Sequence, residues 1–487
     1  MKKPGDRLIA ASLGGLAVLV YLRSLTIGFY SDDFQWLGRM APTLEQLSYV
    51  FHVFYRDFNP VLHVSFLLDY LVGDGSAVAF HATSILIHAV NAVLLFHICR
   101  RFSGNSWIAL VACLVWSLNV RISEAVIWPA ARGHSLATLF VLAALLALGR
   151  SLRRRDLLVP ALFLLALFTK ETALFPMLLA PFFAREPWRA RRLWLTLGAL
   201  GGGFIVLNLL IKPELHLSGA GPSALALKAP FILLRPLGLG DYYDFSFAML
   251  ALVAGILLAS FWLLRKTTGL VGLLWIVVCA VPIIPLDKLS SRYLYMLSVG
   301  YAFVVCGLLE LLVRALRGAE AKRVLRPLVA TLALLLVVGN ALFVQREIED
   351  YAELALPYER CLEVLRGEVM ALTSGETFVV VDVSGAETVL RMQEQMRQRG
   401  NMNKLIPYRQ EGVGGLIELH DAINILRAGE DGLLGRPVKP DPSTPATRVL
   451  YDGQRARRIE SGLSPATSTR LFAASLEPAD AYFAAGP

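Results

Sequence analysis

The sequence is short of charge. Only 17% of its 487 residues are Asp, Glu, Lys or Arg, where a soluble domain carries about a quarter, so a water-soluble globular class is excluded. Five cysteines occur without a CxxC pair, and Cys99, Cys113, Cys279 and Cys306 fall in apolar runs. That excludes a disulfide framework and a cysteine zinc site. There is no Walker A loop, HExxH, GxSxG or nucleic-acid motif. Nucleotide-driven chemistry therefore has no candidate site, and no nucleic-acid partner is expected. No internal repeat of the kind that builds a helical array is visible either.

What the chain has in excess is hydrocarbon: 56% of residues are hydrophobic and the mean hydropathy is +0.57. Leu- and Ala-rich runs recur over the first 345 positions, near the length needed to cross a hydrocarbon core of about 30 Å. They predict an all-α polytopic membrane protein of eleven spans, at 8–29, 77–98, 106–120, 134–149, 156–169, 171–184, 193–211, 246–264, 268–286, 293–313 and 327–345. The first run follows Met-Lys-Lys as a signal peptide would. Its length and the lack of a small-residue cleavage site before Tyr30 predict an uncleaved span.

Positive charge orients these spans, because cytoplasmic loops gather Lys and Arg. Six basic clusters, around Lys2–Arg7, Arg100, Arg153, Arg189, Arg265 and Arg317, all fall inside if the N-terminus is cytoplasmic. The region after residue 345 then lies outside. TFVVVDV (377–383) reads as a strand, 386–400 and 415–429 as helices, PVKPDPSTPAT (437–447) as a linker, and RVLYDGQRARRIE (448–460) as a hairpin. The expected organisation is a membrane domain over 1–345 and a small extracytoplasmic α/β domain over 346–487.

Two outer loops stand out, at 31–76 and 212–245. In the first, PTLEQL suggests a helix capped by Thr43, and NPVLHVSFLLDYLVG (59–73), too short to span, reads as an interfacial helix. The second is broken by Pro and Gly and reads as a re-entrant or covering segment.

The same threading puts Asp32, Asp33, Arg56, Asn59, Glu124, Arg132, Lys170, Glu171, Asp287, Lys288 and Arg292 on the outer face. Ionisable groups at span ends and within apolar stretches are costly unless they are paired or face water. On the second span His81, Ser84, His88 and Asn91 share a helical face, which reads as a polar seam hydrogen-bonding neighbouring helices. In NVRISEAVIWPAARGHS, Trp128 suits an interface belt. Glu124 and Arg132 either pair to fix the loop, or Arg132 meets a lipid phosphate while Glu124 orients a sugar or a cation. In FTKETALFP a phosphate is a natural partner for Lys170, beside Glu171. In PLDKLSSRYLYMLSVG, Arg292 and Tyr293 are either interface anchors or contacts for an anionic headgroup, which suits the planar guanidinium.

In order, the chain carries an acidic pair in SDDF, a Pro entering a short helix, HxxxxxxHxxN, SEAVIW followed by Arg132, TKE and RYLYMLSVG. Together they resemble the GT-C membrane glycosyltransferases over about residues 8–320. They are most like the multispan part of the transmembrane and TPR repeat-containing O-mannosyltransferases and their bacterial dolichyl-phosphate-mannose-protein mannosyltransferase-like relatives. The resemblance implies an inverting glycosyltransferase, a hexosyltransferase of the mannosyl type, working in a bacterial inner membrane. Its partners would be a polyprenyl-phosphate-linked sugar, an acceptor protein, glycan or lipid, and membrane lipids. Asp32 or Asp33 would be the base, Arg292 and Lys170 phosphate contacts, and Glu124 and Arg132 the sugar site. Arg56, Asn59, His81, Glu171 and Tyr293 would also line the substrate site. The resemblance fixes no cofactor; a divalent cation (Mg or Mn) would fall to Asp32 and Asp33.

The chain also departs from that pattern. Asn59-Pro60 stands where Arg-Pro is usual, with Arg56 one helical turn earlier; Ser84 replaces an Asn; and no TPR tail follows. Two other classes fit less of the sequence. A lipid-linked-glycan transporter or flippase should show paired halves, which are absent, and a non-catalytic scaffold leaves the outer acids and cations as coincidence.

Overall fold

The computed structural model describes residues 4–30, 32–37, 39–53, 58–149, 155–184, 186–187, 190–211, 228–230, 232–237, 247–286, 290–315 and 319–370, together with strands at 377–382, 433–438, 446–451, 456–458 and 470–478. Of the residues singled out above, Arg56, Asp287 and Lys288 lie outside this set, as do the helices expected at 386–400 and 415–429. The chain forms two compact units. One comprises Met1–Leu25, Phe51–Leu62 and His81–Ile348, and the other Thr26–Val50, His63–Phe80 and Glu349–Pro487.

The first unit is helical. Among the described residues six helices are long and apolar enough to cross a membrane: Gly5–Thr26, Ala77–Ser103, Pro129–Leu148, Arg191–Ile211, Ser291–Ala315 and Ala330–Leu356. Shorter apolar helices cover Pro60–Gly73, Ser106–Ser117, Leu250–Leu264 and Gly269–Ala280. Their outward faces are hydrocarbon. Leu195, Leu210, Leu258, Leu334 and Leu335 are all exposed, which in water would be an aggregation hazard and in lipid is the ordinary condition. The protein is an integral, multi-pass membrane protein.

The run expected as a span over 171–184 is instead broken into a 3₁₀ turn, Glu171–Ala173, and two short helices, Leu174–Met177 and Ala180–Phe183. Pro176 and Pro181 explain this, since each removes a backbone donor and crowds the preceding turn. The helix expected over 327–345 runs from Ala319 to Met370, because the sequence beyond 345 remains rich in Glu, Arg, Leu and Ala, all good helix formers.

Two small-residue surfaces let helices Gly269–Ala280 and Leu294–Ala315 approach closely. A Cβ on Gly272 would lie 2.5 Å from the Gly300 carbonyl oxygen, and one on Gly307 would lie 2.5 Å from the Gly269 nitrogen. Trp275 Nε1 donates to the Met296 carbonyl at 2.8 Å across the same seam. At the start of the former helix, Glu310 accepts from the Thr268 backbone N–H (3.3 Å) and hydroxyl.

In the second unit, helix Pro60–Gly73 exposes Val64, Leu68, Leu71 and Val72, one stripe at helical spacing, suited to an apolar interface. Thr43 is not an N-cap. It lies inside helix Met40–Glu45, where its hydroxyl donates back to the Arg39 carbonyl at 2.6 Å and meets His63 Nε2 at 2.8 Å. Five strands, β1 (Thr377–Asp382), β2 (Leu433–Val438), β3 (Ala446–Tyr451), β4 (Ala456–Arg458) and β5 (Arg470–Pro478), form a sheet in the order β2-β5-β1-β3-β4. β1 and β3 run parallel and the other pairs antiparallel. The run read as a linker gives Pro437 and Val438 to β2 and Ala446 and Thr447 to β3.

Candidate active site

The acidic pair opens a short helix, Asp32–Leu37. Asp33 N–H donates to the Tyr30 carbonyl, and the Tyr30 N–H donates to Asp33 Oδ2, both at 3.2 Å. This is the reciprocal half of a capping box, and two carboxylates in a first turn also suit the helix dipole. The two acids are therefore not equivalent. Asp33 is 1% exposed and caps the helix, whereas Asp32 is only half-buried. The helix is held by Trp36, whose ring stacks on Phe66 (4.8 Å, 13°) and carries the Arg39 guanidinium at 4.2 Å. With those neighbours on the indole, Trp36 serves as an anchor.

The other candidate residues belong to the first unit and gather around the start of helix Arg132–Leu148. Glu124, in the short helix Glu124–Ile127, is buried. Its carboxylate accepts from the Arg292 backbone N–H at 3.0 Å, from Arg292 Nη1 at 3.4 Å and from the Ser290 hydroxyl. The ion pair of Glu124 is thus with Arg292, not with Arg132. Arg292 lies over the Trp128 ring at 4.7 Å and beside Tyr293 at 5.5 Å. Trp128 is 2% exposed and so is not part of an interface belt. It is a platform for a guanidinium, a contact that gains strength where water is excluded. The Tyr293 ring in turn meets His134 edge-on at 5.1 Å.

On the other side of the same helix start, Arg132 is fully buried and its Nε donates to Ser84 at 3.0 Å. Gly133 packs beside Leu62 and Lys170. A Cβ there would lie 3.1 Å from Leu62, 3.8 Å from the Thr169 carbonyl and 4.0 Å from Lys170 Cδ. Lys170 pairs with Glu171 at 3.3 Å and keeps 16% of its side chain exposed. Asn59, also buried, is carried in by the Val61 N–H bond to the Phe168 carbonyl and by the Phe58–Phe168 ring contact. Arg132, Lys170 and Arg292 thus converge within an apolar bundle.

The polar seam on helix Ala77–Ser103 is visible residue by residue. His81 is fully buried, one turn from Ser84. His88 Nδ1 meets Tyr295 Oη at 2.7 Å, and its Nε2 donates to the Ser117 carbonyl at 2.8 Å. Asn91 Nδ2 donates to the Ser135 carbonyl (2.9 Å) and to Tyr295 Oη (3.0 Å). His88 and Asn91 therefore fasten three neighbouring helices to one another.

Two features escape sequence reasoning. Arg235 is 1% exposed, and its Nη2 donates to the Ser291 hydroxyl at 3.2 Å, next to Arg292. Its segment is fixed by Asn119 Nδ2 donating to the Pro236 carbonyl at 2.8 Å. Only the Arg-Pro that ends an apolar stretch hinted at it. The stacking of Arg292 on Trp128 left no sequence signal, as the two are 164 positions apart. Among the described residues no three His, Cys, Asp or Glu side chains are placed to hold a metal ion.

No family model matches the chain. A stretch of 97 residues is 28% identical to human protein O-mannosyl-transferase TMTC3, covering 20% of this chain and 10% of that protein. Another of 186 residues is 25% identical to Drosophila melanogaster Tmtc1, also a protein O-mannosyl-transferase, covering 35% of this chain and 22% of that one. The chain therefore spans only about a tenth to a fifth of the curated relatives it matches. Among solved structures, apo ArnT from Cupriavidus metallidurans aligns with a TM-score of 0.52 and 14% identity over 98% of each chain. The resemblance read from the sequence stands: the chain is similar to the protein O-mannosyl-transferases of the TMTC group, and its fold is that of ArnT.

Proposed function

We propose that the protein is an inverting glycosyltransferase that moves a hexose, mannose being the first candidate, from a polyprenyl-phosphate donor to an acceptor hydroxyl at the extracytoplasmic membrane face. The observation that carries this reading is the convergence of Arg132, Lys170 and Arg292 at one helix start within an apolar bundle. Cations at a helix start, Arg132 fully buried and Lys170 and Arg292 partly so, suit a phosphate, and an apolar bundle suits the polyprenyl chain. The N-terminus would be cytoplasmic, and the sheet-bearing C-terminal region a small α/β domain outside an inner membrane.

In this reaction the acceptor oxygen attacks the anomeric carbon from the face opposite the phosphate. The bond from that carbon to the phosphate oxygen breaks, and polyprenyl phosphate leaves with the electron pair. The acceptor proton passes to a carboxylate. Asp32, the half-buried acid, is that base, and Asp33, buried in its cap, holds the turn in shape. A positioned base contributes on the order of 10²–10⁴-fold. Arg292 and Lys170 stabilise charge on the leaving phosphate in a site poor in water. Glu124 aims Arg292, Arg132 shapes the sugar-phosphate pocket with Asn59, His81, Glu171 and Tyr293, and no step is routed through a cation.

The test is sugar transfer by the purified chain from radiolabelled polyprenyl-phosphate mannose and glucose, comparing wild type with Asp32→Asn, Asp33→Asn and the double variant. Asp32→Asn should lose at least about 10²-fold in turnover. Undiminished transfer by the double variant would overturn the assignment.

A further inference from the structure

The acidic turn is also held at its upstream side. Ile27–Tyr30 belongs to no helix or strand, yet Tyr30 is 5% exposed. Within the second unit its ring packs edge-on against Tyr351 (5.6 Å, 62°). Tyr351 is itself 2% exposed and lies on the continuous helix Ala319–Met370. Two turns further on, the Glu359 side chain occupies the space that a Cβ on Gly28 would take. The segment just before the acidic pair is therefore docked on that helix at two points, about 12 Å apart along its axis at 1.5 Å per residue. The Tyr30 backbone is bonded in both directions to Asp33. A displacement of Tyr30 would move the cap, and with it the first turn that carries Asp32.

We infer that Tyr351 is a positioning residue for the acidic pair, acting through the Tyr30 ring and the Tyr30–Asp33 backbone bonds, so that the helix after residue 348 is a working part of the active site. This rests on the proposed role of Asp32 as base. Tyr351 itself touches no reacting atom. Its contribution is the placement of a carboxylate, where an error of about 1 Å costs about 10²-fold in rate.

The experiment uses the full chain in detergent, with Tyr351→Ala and the ring-conserving Tyr351→Phe. Hydrogen exchange of the 28–37 segment should rise in Tyr351→Ala and remain at the wild-type level in Tyr351→Phe. Turnover with polyprenyl-phosphate mannose should fall about 10²-fold in the former, with binding of polyprenyl phosphate itself unchanged, and recover in the latter. Unchanged exchange at 28–37 in Tyr351→Ala would overturn the inference, whatever the activity. So would a parallel loss of donor binding and turnover, the mark of general unfolding. If exchange responds as expected while Asp32→Asn retains full transfer, the positioning stands and the assignment of Asp32 as base fails.

Discussion

Arg292 shows how much one side chain can be asked to do. Its backbone and guanidinium are held by Glu124, and its cationic face lies on Trp128. Lysine keeps the charge but loses the planar stack and the fork that matches phosphate. Arg292→Lys is therefore expected to weaken polyprenyl-phosphate binding about tenfold, and Arg292→Ala more, by calorimetric titration of the purified protein; Arg292→Ala should also lower the thermal midpoint, because it leaves the buried Glu124 carboxylate without its ion-pair partner. Glu124→Gln keeps the shape and removes the charge that aims Arg292. It should also lose roughly tenfold in donor affinity, since the bond it weakens is charge-assisted. Donor affinity equal to wild type in Glu124→Gln would leave Glu124 a purely structural residue. Both ends of this pair were legible as candidates, because an acid and a base among apolar runs demand an explanation. Their pairing was not legible. The sequence offered the neighbour eight positions away, Arg132, and the fold chose the one 168 positions away.

At the scale of elements, composition located the six helices that are long and apolar enough to cross a membrane, because hydrocarbon length is written directly in consecutive residues; four more of the runs expected to span fall on shorter helices. It failed where a local rule overrode the run. Pro176 and Pro181 cut an apolar stretch of the right length into turns, and a polar but helix-favouring sequence carried the last helix past its apolar end. The seam between Gly269–Ala280 and Leu294–Ala315 was hidden for another reason, since a glycine in an apolar run carries no mark of what faces it. A Cβ on Gly300 would meet Ile276 Cγ1 at 2.6 Å, the Gly272 carbonyl oxygen at 2.8 Å and Trp275 Cδ1 at 3.0 Å. Gly300→Val should therefore overpack the seam, at a cost of about 1–3 kcal/mol, and lower the thermal midpoint by several degrees. Gly202→Ala is the control, with nothing within 4 Å of its added methyl. Equal midpoints for the two variants would show that the seam is not tightly packed.

At the scale of the whole molecule, the placement of charge sets which way the bundle faces. Helix Leu294–Ala315 has 22 residues, about 33 Å at 1.5 Å each, enough to separate two environments. Before its start lie Ser290 and Arg292, bonded to Glu124. Near its end lie Glu310 and Arg314, which pair at 3.5 Å, and Arg314 also donates to the Lys266 carbonyl at 3.2 Å. Arg265 sits nearby over Trp262. At the first helix, Arg100 and Ser106 meet Asp6, so a third basic loop is drawn to the N-terminal end. The Lys266 and Arg314 loops and the Glu124–Arg292 pair thus occupy opposite ends of the same long helix, as the excess of Lys and Arg on cytoplasmic loops requires if that pair faces outward. A reporter that is active only in the cytoplasm should therefore light up when inserted at 151–154 or 316–318, and stay dark when fused after residue 487. A cytoplasmic signal from the C-terminal fusion would remove the polyprenyl-phosphate reading together with the outward face.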